Sequence, residues 1–342
     1  MIKNTYDIFE DEKLGVFQIR SKGDVIIAEF NDEEEKNIFR DIIQYLQLTA
    51  ETNLIDLYNL LLEREHDKDK VLYVFSELKE FNLINESVIK DTFDLKLKDQ
   101  LKFLGNGPDE EGGSSASEVQ LKIQNSKLVL FGNGILTEQL LDKAVKSGFE
   151  QAVSYSIETE QEESDLENKI VDSDLLIVDA DQWNPFFIEE LNRLALRHKK
   201  PWILIPGIDG IKASVGPLFI GKETGCYHCL SSRLKSNMEF LPYFEGYEKY
   251  LRDNKKTAKN SGGPIALYEM LASLCMLEVI KYVTGWAVPV IYKAFITINM
   301  YDYEFKVHSL LKSPGCPVCS PSVDFNIAPW LEPVTLHRLQ HS

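Results

Sequence analysis

Three features of the sequence predict an α/β chain of two domains. Short strand-like runs followed by three helix-like stretches fill roughly the first hundred residues, the order of a winged helix-turn-helix. A strand–Gly-x-Gly–helix unit then opens a strand–helix alternation, the rhythm of a Rossmann-like sheet. Two C-x-x-C pairs, Cys226–Cys229 and Cys316–Cys319, close the second half. Between the halves, Gly105 to Ser117 is Gly, Ser and acidic residues without a hydrophobic period, a flexible linker. The expected division is therefore 1–104, linker 105–117, 118–322, and a tail 323–342.

In the first domain, Leu14 to Arg20 and Asp24 to Phe30 have strand composition and flank Ser21-Lys22-Gly23, a hairpin-turn sequence. The first helix is expected from Asn31 or Asp32, with Glu33 to Glu35 in its first turn where acidic groups meet the positive helix end. Ile38, Ile42, Tyr45 and Leu46 share one face. The second helix runs from about Asn53 through Leu54, Leu57, Tyr58 and Leu61. The third starts near Asp67 and stripes Val71, Val74, Phe75, Leu78 and Phe81. That third helix lacks arginine and the net positive charge a DNA-groove reader needs, so protein or peptide binding suits the module better. Its expected peptide-binding residues are Val25, Ile26, Ile27 and Ala28, offering a strand edge for β-addition. The module resembles peptide-recognition domains in which the leader lies between that strand and the third helix, which implies Lys70, Val71, Val74, Phe75 and Leu78 as the opposite wall, some of them necessarily facing the core.

In the second domain, Lys127 to Phe131 is a buried-strand pattern followed by Gly132-Asn133-Gly134 and a helix over Glu138 to Ser147, with Gly148 just past its end. Leu175 to Asp179 is a second buried strand, Pro185 to His198 a helix, and Trp202 to Pro206 a third strand. Gly-x-Gly alone also fits a dinucleotide fold, but no acidic residue stands at a clear strand end about 20 positions on.

The cysteine pairs are separated by 86 residues and supply four thiolates, a set suited to one tetrahedral Zn²⁺. The rival readings, disulfides or a redox dithiol, call for secretion or for a lone C-x-x-C at a helix start. Four sulfurs leave no open coordination position, so such a zinc is structural. Cys275, in an apolar helical run, reads as core.

A net charge of −17 argues against non-specific nucleic-acid binding, which depends on Lys and Arg neutralising phosphates. No apolar run approaches the ~20 residues of a membrane helix, and no signal-peptide core opens the chain. A cytoplasmic location is expected.

The order of these motifs is specific. After Gly-x-Gly come Asp179-Ala180-Asp181, Leu191-Asn192, Pro201-Trp202-Ile203, Gly216-Pro217-Leu218 and the first cysteine pair. Glu278-Val279-Ile280-Lys281-Tyr282-Val283-Thr284-Gly285 and the second pair follow. Over residues 120–322 this resembles the ThiF-like family of ubiquitin-activating-type adenylating enzymes. Cys229-Leu230-Ser231-Ser232-Arg233-Leu234 and the later Ser261-Gly262-Gly263-Pro264 are similar to the ThiF-like partner proteins of YcaO-type cyclodehydratases. The resemblance implies a scaffold with an N-terminal leader-peptide recognition domain, serving RiPP, bacteriocin or thiopeptide antibiotic biosynthesis. The expected partners are a precursor peptide and an ATP-using YcaO-type enzyme that forms thiazoline or oxazoline rings. A flavin-dependent azoline dehydrogenase and a homodimer are also admitted.

Two departures from the family pattern point to a decayed adenylating site. Active members place an acidic residue and an Asn-Leu-x-Arg-Gln segment after the second strand. The matching stretch here, Gly148 to Glu162, has no arginine and an excess of acidic residues. The family's Asp-Asn-Phe-x-x-Arg becomes Asp181-Gln182-Trp183-Asn184-Pro185-Phe186-Phe187. Gly132, Gly134 and Asp181 are left as vestigial nucleotide-site residues, Asp181 as a magnesium ligand, and no catalytic residue is assigned. The alternative is an active enzyme making an acyl-adenylate from a peptide carboxylate.

Overall fold

A computed structural model describes residues 7–11, 13–20, 25–48, 54–80, 97, 100, 103–104, 116–157 and 163–320. Two compact units emerge, Met1–Lys122 and Ile123–Ser342. The turn 21–23, most of the linker, the acidic loop 158–162 and the tail 323–342 lie outside the described residues.

Among the described residues up to Glu80, the first unit is a three-stranded antiparallel sheet with three helices. The strands are β1 (Asp7–Asp11), β2 (Val16–Arg20) and β3 (Val25–Ala28), ordered β1-β2-β3. The helices are α1 (Glu33–Leu48), α2 (Leu54–Glu63) and α3 (Lys68–Glu80). Asp32 begins α1 as expected: its Oδ1 accepts from Glu34 N at 2.7 Å, satisfying an orphan first-turn donor. Asp67 does the same for α3, accepting from the N–H groups of Asp69 and Lys70. Phe17 and Ile19 of β2 are buried against Ile38, Phe39 and Ile42, Leu57 and Leu61, and Val71, Val74 and Leu78. Strand β1 was not foreseen, because Asp-Ile-Phe-Glu-Asp carries too much charge to read as a strand.

The second unit is built on a five-stranded sheet ordered β10-β7-β6-β4-β5. Strands β4 (Lys127–Phe131), β5 (Gln151–Tyr155), β6 (Leu175–Asp179) and β7 (Trp202–Ile205) are parallel, and the short β10 (Leu218–Phe219) pairs antiparallel with β7. Helix α4 (Ala116–Asn125) leads into β4. The crossovers are α5 (Ile135–Lys146), α6 (Glu163–Val171) and α7 (Pro185–Arg197). Val129, Phe131, Leu176, Val178, Trp202 and Leu204 meet Leu166 and Ile170 of α6 and Phe187, Ile188, Leu191 and Leu194 of α7. The alternate side chains Leu128, Leu130, Leu175, Ile177, Ile203 and Ile205 are buried too. Both faces are thus covered, which is why these strands read as unbroken apolar runs. Because β5 and β6 lie on opposite sides of β4, the chain reverses its winding direction there, creating a switch point at the carboxyl ends of β4 and β6.

A second, antiparallel sheet ordered β12-β11-β9-β8 completes the unit, with β8 (Gly207–Asp209), β9 (Lys212–Val215), β11 (Ala294–Asn299) and β12 (Glu304–Ser309). Helix α8 (Tyr227–Ser236) starts at the first cysteine pair, and α9 (Leu241–Asp253) packs on α7. Helix α10 (Ile265–Thr284) packs along α5 and ends at Gly285, whose φ of 72° gives a left-handed cap. The Glu278 and Lys281 of the family-like helix motif are structural here. Buried Glu278 accepts from Ile291 N and from Lys281 Nζ, tying the loop after α10 to the helix.

Candidate functional site

Three places gather chemistry-bearing residues. At the first, Cys226 precedes α8, Cys229 sits in its first turn, and Cys316 and Cys319 come from the turn after β12. All four are buried and none is in a disulfide. Their Sγ atoms lie 3.9 Å apart for Cys226–Cys229, and 3.7 Å for both Cys226–Cys316 and Cys229–Cys319. A regular tetrahedron with Zn–S bonds of about 2.3 Å has edges of about 3.8 Å, so the donor set fits zinc. Ser313 N–H donates to Cys229 Sγ at 3.4 Å, the kind of outer bond that steadies a thiolate ligand. Burial pushes the Cys226 thiol well up, a cost a bound cation would remove. Cys275 is fully buried in α10, and desolvation raises its thiol too, as a core cysteine should behave.

The second place is the switch point. Gly132 follows β4 so closely to β6 that a Cβ there would come within 2.5 Å of Asp179 Cβ. Gly134 precedes α5 with a φ of 102°, a conformation that favours glycine. Asn133 between them is committed to its own chain. Its Oδ1 accepts from Ile157 N at 3.0 Å and its Nδ2 donates to Ile157 O at 3.0 Å. Buried Asp179 accepts from Thr137 Oγ1 at 2.7 Å and also from the Thr137 N–H in the first turn of α5. Desolvation drives the Asp179 pKa up to about 6 despite those donors. A carboxylate of this chain thus stands where a helix N-terminus would meet a phosphate.

Asp181 is equally occupied. Its Oδ1 accepts from Ile208 N at 2.9 Å, and its Oδ2 from Asn260 Nδ2 at 3.0 Å and Tyr268 Oη at 3.3 Å. Its surroundings are three donors from three segments, with which any magnesium ion bound there would have to share the carboxylate. Glu158, Glu160 and Glu162, the acidic residues expected nearby, lie outside the described residues.

The third place is β3 and α3. Strand β3 is an edge of its sheet, with Val25 and Ile27 exposed and Ile26 and Ala28 packed on the core. On α3 the sequence alone left core and surface unsorted. Val71, Val74 and Leu78 are buried and turn inward, so they cannot line a peptide as the unit stands. Phe75 is half-buried beside Tyr58, their ring centroids 6.4 Å apart. Lys70 is held by Asp32 at 2.6 Å and Glu34 at 2.7 Å, bonds that raise its pKa. Those contacts tie the start of α3 to the chain that leaves β3. Leu72 and Tyr73, which the apolar stripe did not include, are the exposed large side chains of α3. A mismatch with the helical period, apolar residues adjacent to the buried stripe, is the signal that would have found them.

No family model matches the chain. Protein HesA of Leptolyngbya boryana is 30% identical over 145 residues, 42% of this chain and 43% of that protein. The heterocyclase TruD superposes with a TM-score of 0.68 at 18% identity, over 93% of this chain and 42% of TruD. A heterocyclase in complex with substrate and cofactor gives 0.66 at 15% identity, over 94% of this chain and 39% of that one. E. coli MccB bound to MccA-N7isoASN gives 0.56 at 18% identity, covering 94% of this chain and 99% of MccB. The chain therefore spans less than half the length of HesA and of the two heterocyclases. At these identities the structural likenesses establish a shared fold.

Proposed function

We propose that this chain is a non-catalytic scaffold in the maturation of a ribosomally made peptide. Its first unit, read as a winged helix, captures the leader of the precursor by strand addition at β3. Its second unit, read as a ThiF-like domain held by a structural zinc on Cys226, Cys229, Cys316 and Cys319, docks a separate YcaO-type enzyme. That enzyme uses ATP to cyclise Cys, Ser or Thr of the tethered core. Capture raises the effective concentration of the core at the enzyme without contact to the core sequence.

The observation that carries this reading is the match of nearly the whole chain to about two-fifths of a heterocyclase, as if one function had been divided between chains. The MccB complex with an MccA peptide supports a peptide ligand. Fluorescence anisotropy of the full chain with precursor peptides encoded beside its gene tests the proposal. Leader-dependent binding together with leader-dependent stimulation of the cognate YcaO-type enzyme is the expected result. Binding that survives deletion of the leader would sink it.

The second reading is an active adenylating enzyme, favoured by the likeness to E. coli MccB with ATP, at a TM-score of 0.56. Against it stand the commitments of Asn133, Asp179 and Asp181 to their own chain. Pyrophosphate exchange dependent on Asp181 would promote it over the scaffold.

A further inference from the structure

We infer that residues 255–264 form a strap latched across the carboxyl ends of β6 and β7, and that the Asp181–Asn260 hydrogen bond is the latch. The inference deepens the proposed inactive adenylating edge and rests on that reading only for its consequence for nucleotides.

The strap leaves α9 at Asn254 and enters α10 at Ile265. It touches the sheet edge at three points. Ala258 N–H donates to Trp183 O at 2.8 Å. Asn260 Nδ2 donates to Asp181 Oδ2 at 3.0 Å. Gly263 lies so close to Ile208 that a Cβ would meet Ile208 Cδ1 at 2.5 Å. Asp181 and Trp183 lie in the turn after β6, and Ile208 lies in β8 just beyond the end of β7, so the strap runs over the edge a switch-point ligand would approach.

Both ends of the strap are anchored by ring and hydroxyl contacts, whereas its middle is held by polar bonds alone. Trp183 stacks on Phe244 of α9 at 5.5 Å, and Tyr268 in the first turn of α10 also reaches Asp181. Between these anchors the side chains of Lys255, Lys256, Lys259 and Asn260 are exposed. A segment with little buried apolar surface opens locally at low cost unless specific bonds hold it. Asn260 supplies the side-chain bond, and its acceptor is a carboxylate, the stronger kind. With the latch closed, Asp181 Oδ2 already accepts two hydrogen bonds, from Asn260 and Tyr268. Opening the strap is then the step that frees that oxygen for a metal–phosphate group.

The strap carries its own reporters, because trypsin cuts after Lys255, Lys256 and Lys259 once they are locally unfolded. When opening and closing outpace cleavage, the cutting rate follows the open population. Limited trypsin digestion of the full chain, with sites assigned by mass spectrometry, is the test. Asn260→Ala should speed cutting at these lysines about tenfold, the effect of losing one charge-assisted hydrogen bond. Its melting temperature should stay at the wild-type value, since Asn260 is exposed. Tyr268→Phe, which removes an anchor shared by Asp181 and Asn260 but keeps the Asn260–Asp181 bond, should speed cutting less than Asn260→Ala does. Equal cutting of Asn260→Ala and wild type would overturn the latch. Protection of the wild-type strap by ATP and Mg²⁺ would instead overturn the inactive-edge reading, with the Asn260→Ala comparison still deciding the latch.

Discussion

The edge of β3 and the carboxyl edge of the five-stranded sheet are both places where such folds take ligands, and this chain treats them oppositely. At β3, among the described residues, no further strand pairs with the backbone edge, and the exposed side chains, Val25 and Ile27, are apolar. At the carboxyl edge the polar groups are spent on the chain itself: Asn133 on Ile157, Asp179 on Thr137, Asp181 on Ile208, Asn260 and Tyr268. A ligand at β3 gains main-chain bonds that nothing else supplies. A ligand at the carboxyl edge must first break bonds already made. The difference favours the proposal that binding belongs to the first unit and that the second unit is a folded platform.

If the second unit is a platform, what holds it together matters more than what it binds. The largest effect is therefore expected at the cysteine cluster. Structural zinc supplies an apparent ~10–16 kcal/mol in small sites, more than most domains have to spare. Cys229→Ser or Cys316→Ser should yield poorly folded protein, and elemental analysis should find about one zinc per wild-type chain. Metal-free protein of unchanged stability would break the platform reading.

Next in size is a contrast within α3. Leu78→Ala deletes a buried side chain and should cost about 2–5 kcal/mol of stability by urea denaturation. Leu72→Ala, at an exposed position, should stay within about 0.5 kcal/mol of wild type yet weaken leader binding. Should the pattern reverse, the exposed face of α3 is not the peptide wall.

Asp179 provides a pH test of the closed edge. Its pKa is about 6 when folded against 3.8 for the free group, so the folded state binds the extra proton between those values. A proton held more tightly by the folded state means stability rises as pH falls from about 7 to 4 through this group alone. The shift corresponds to roughly 3 kcal/mol. Asp179→Asn should flatten that part of the pH profile of the urea midpoint. An unchanged profile would mean the carboxylate is better solvated than its burial indicates.

How much of this contrast was legible beforehand follows from which forces shape each element. Strands β4, β6 and β7 were readable because burial on both faces writes an unbroken apolar run. Helices α1 and α3 were readable from Asp32 and Asp67, whose caps leave a local signature. The cysteine cluster was readable from spacing alone, since few other structures need four thiols in two short pairs. The antiparallel strands β2 and β3 were also read, but the edge strands of the second unit were not. Strand β5 is half exposed, and β12 is exposed along most of its length, so neither carries a strong hydrophobic pattern. Nor could the sequence show that Asp181 is spent. Its three donors come from positions 27, 79 and 87 residues away. Pattern reading reaches one helix turn or one strand; these partners are joined by the fold.

The smallest and most discriminating prediction concerns the backbone of β3. Successive residues of an antiparallel strand point their N–H groups to opposite sides, so of Ile26 and Ile27 one donates towards β2 and the other towards the open edge. Proline removes the donor in either case. At the β2-facing position it breaks the ladder and should lower stability. At the edge-facing position no ladder bond to β2 is lost, and proline is tolerated where the N–H faces away from the sheet. The proposed strand addition predicts that this second substitution weakens leader binding about tenfold while the urea midpoint stays near that of alanine at the same position. Because Ile26 packs on the core, each proline is compared with alanine at the same position, and the residue whose proline and alanine variants are equally stable is the edge-facing one. Binding that is indifferent to proline at that residue would show that the leader, wherever it sits, does not extend this sheet.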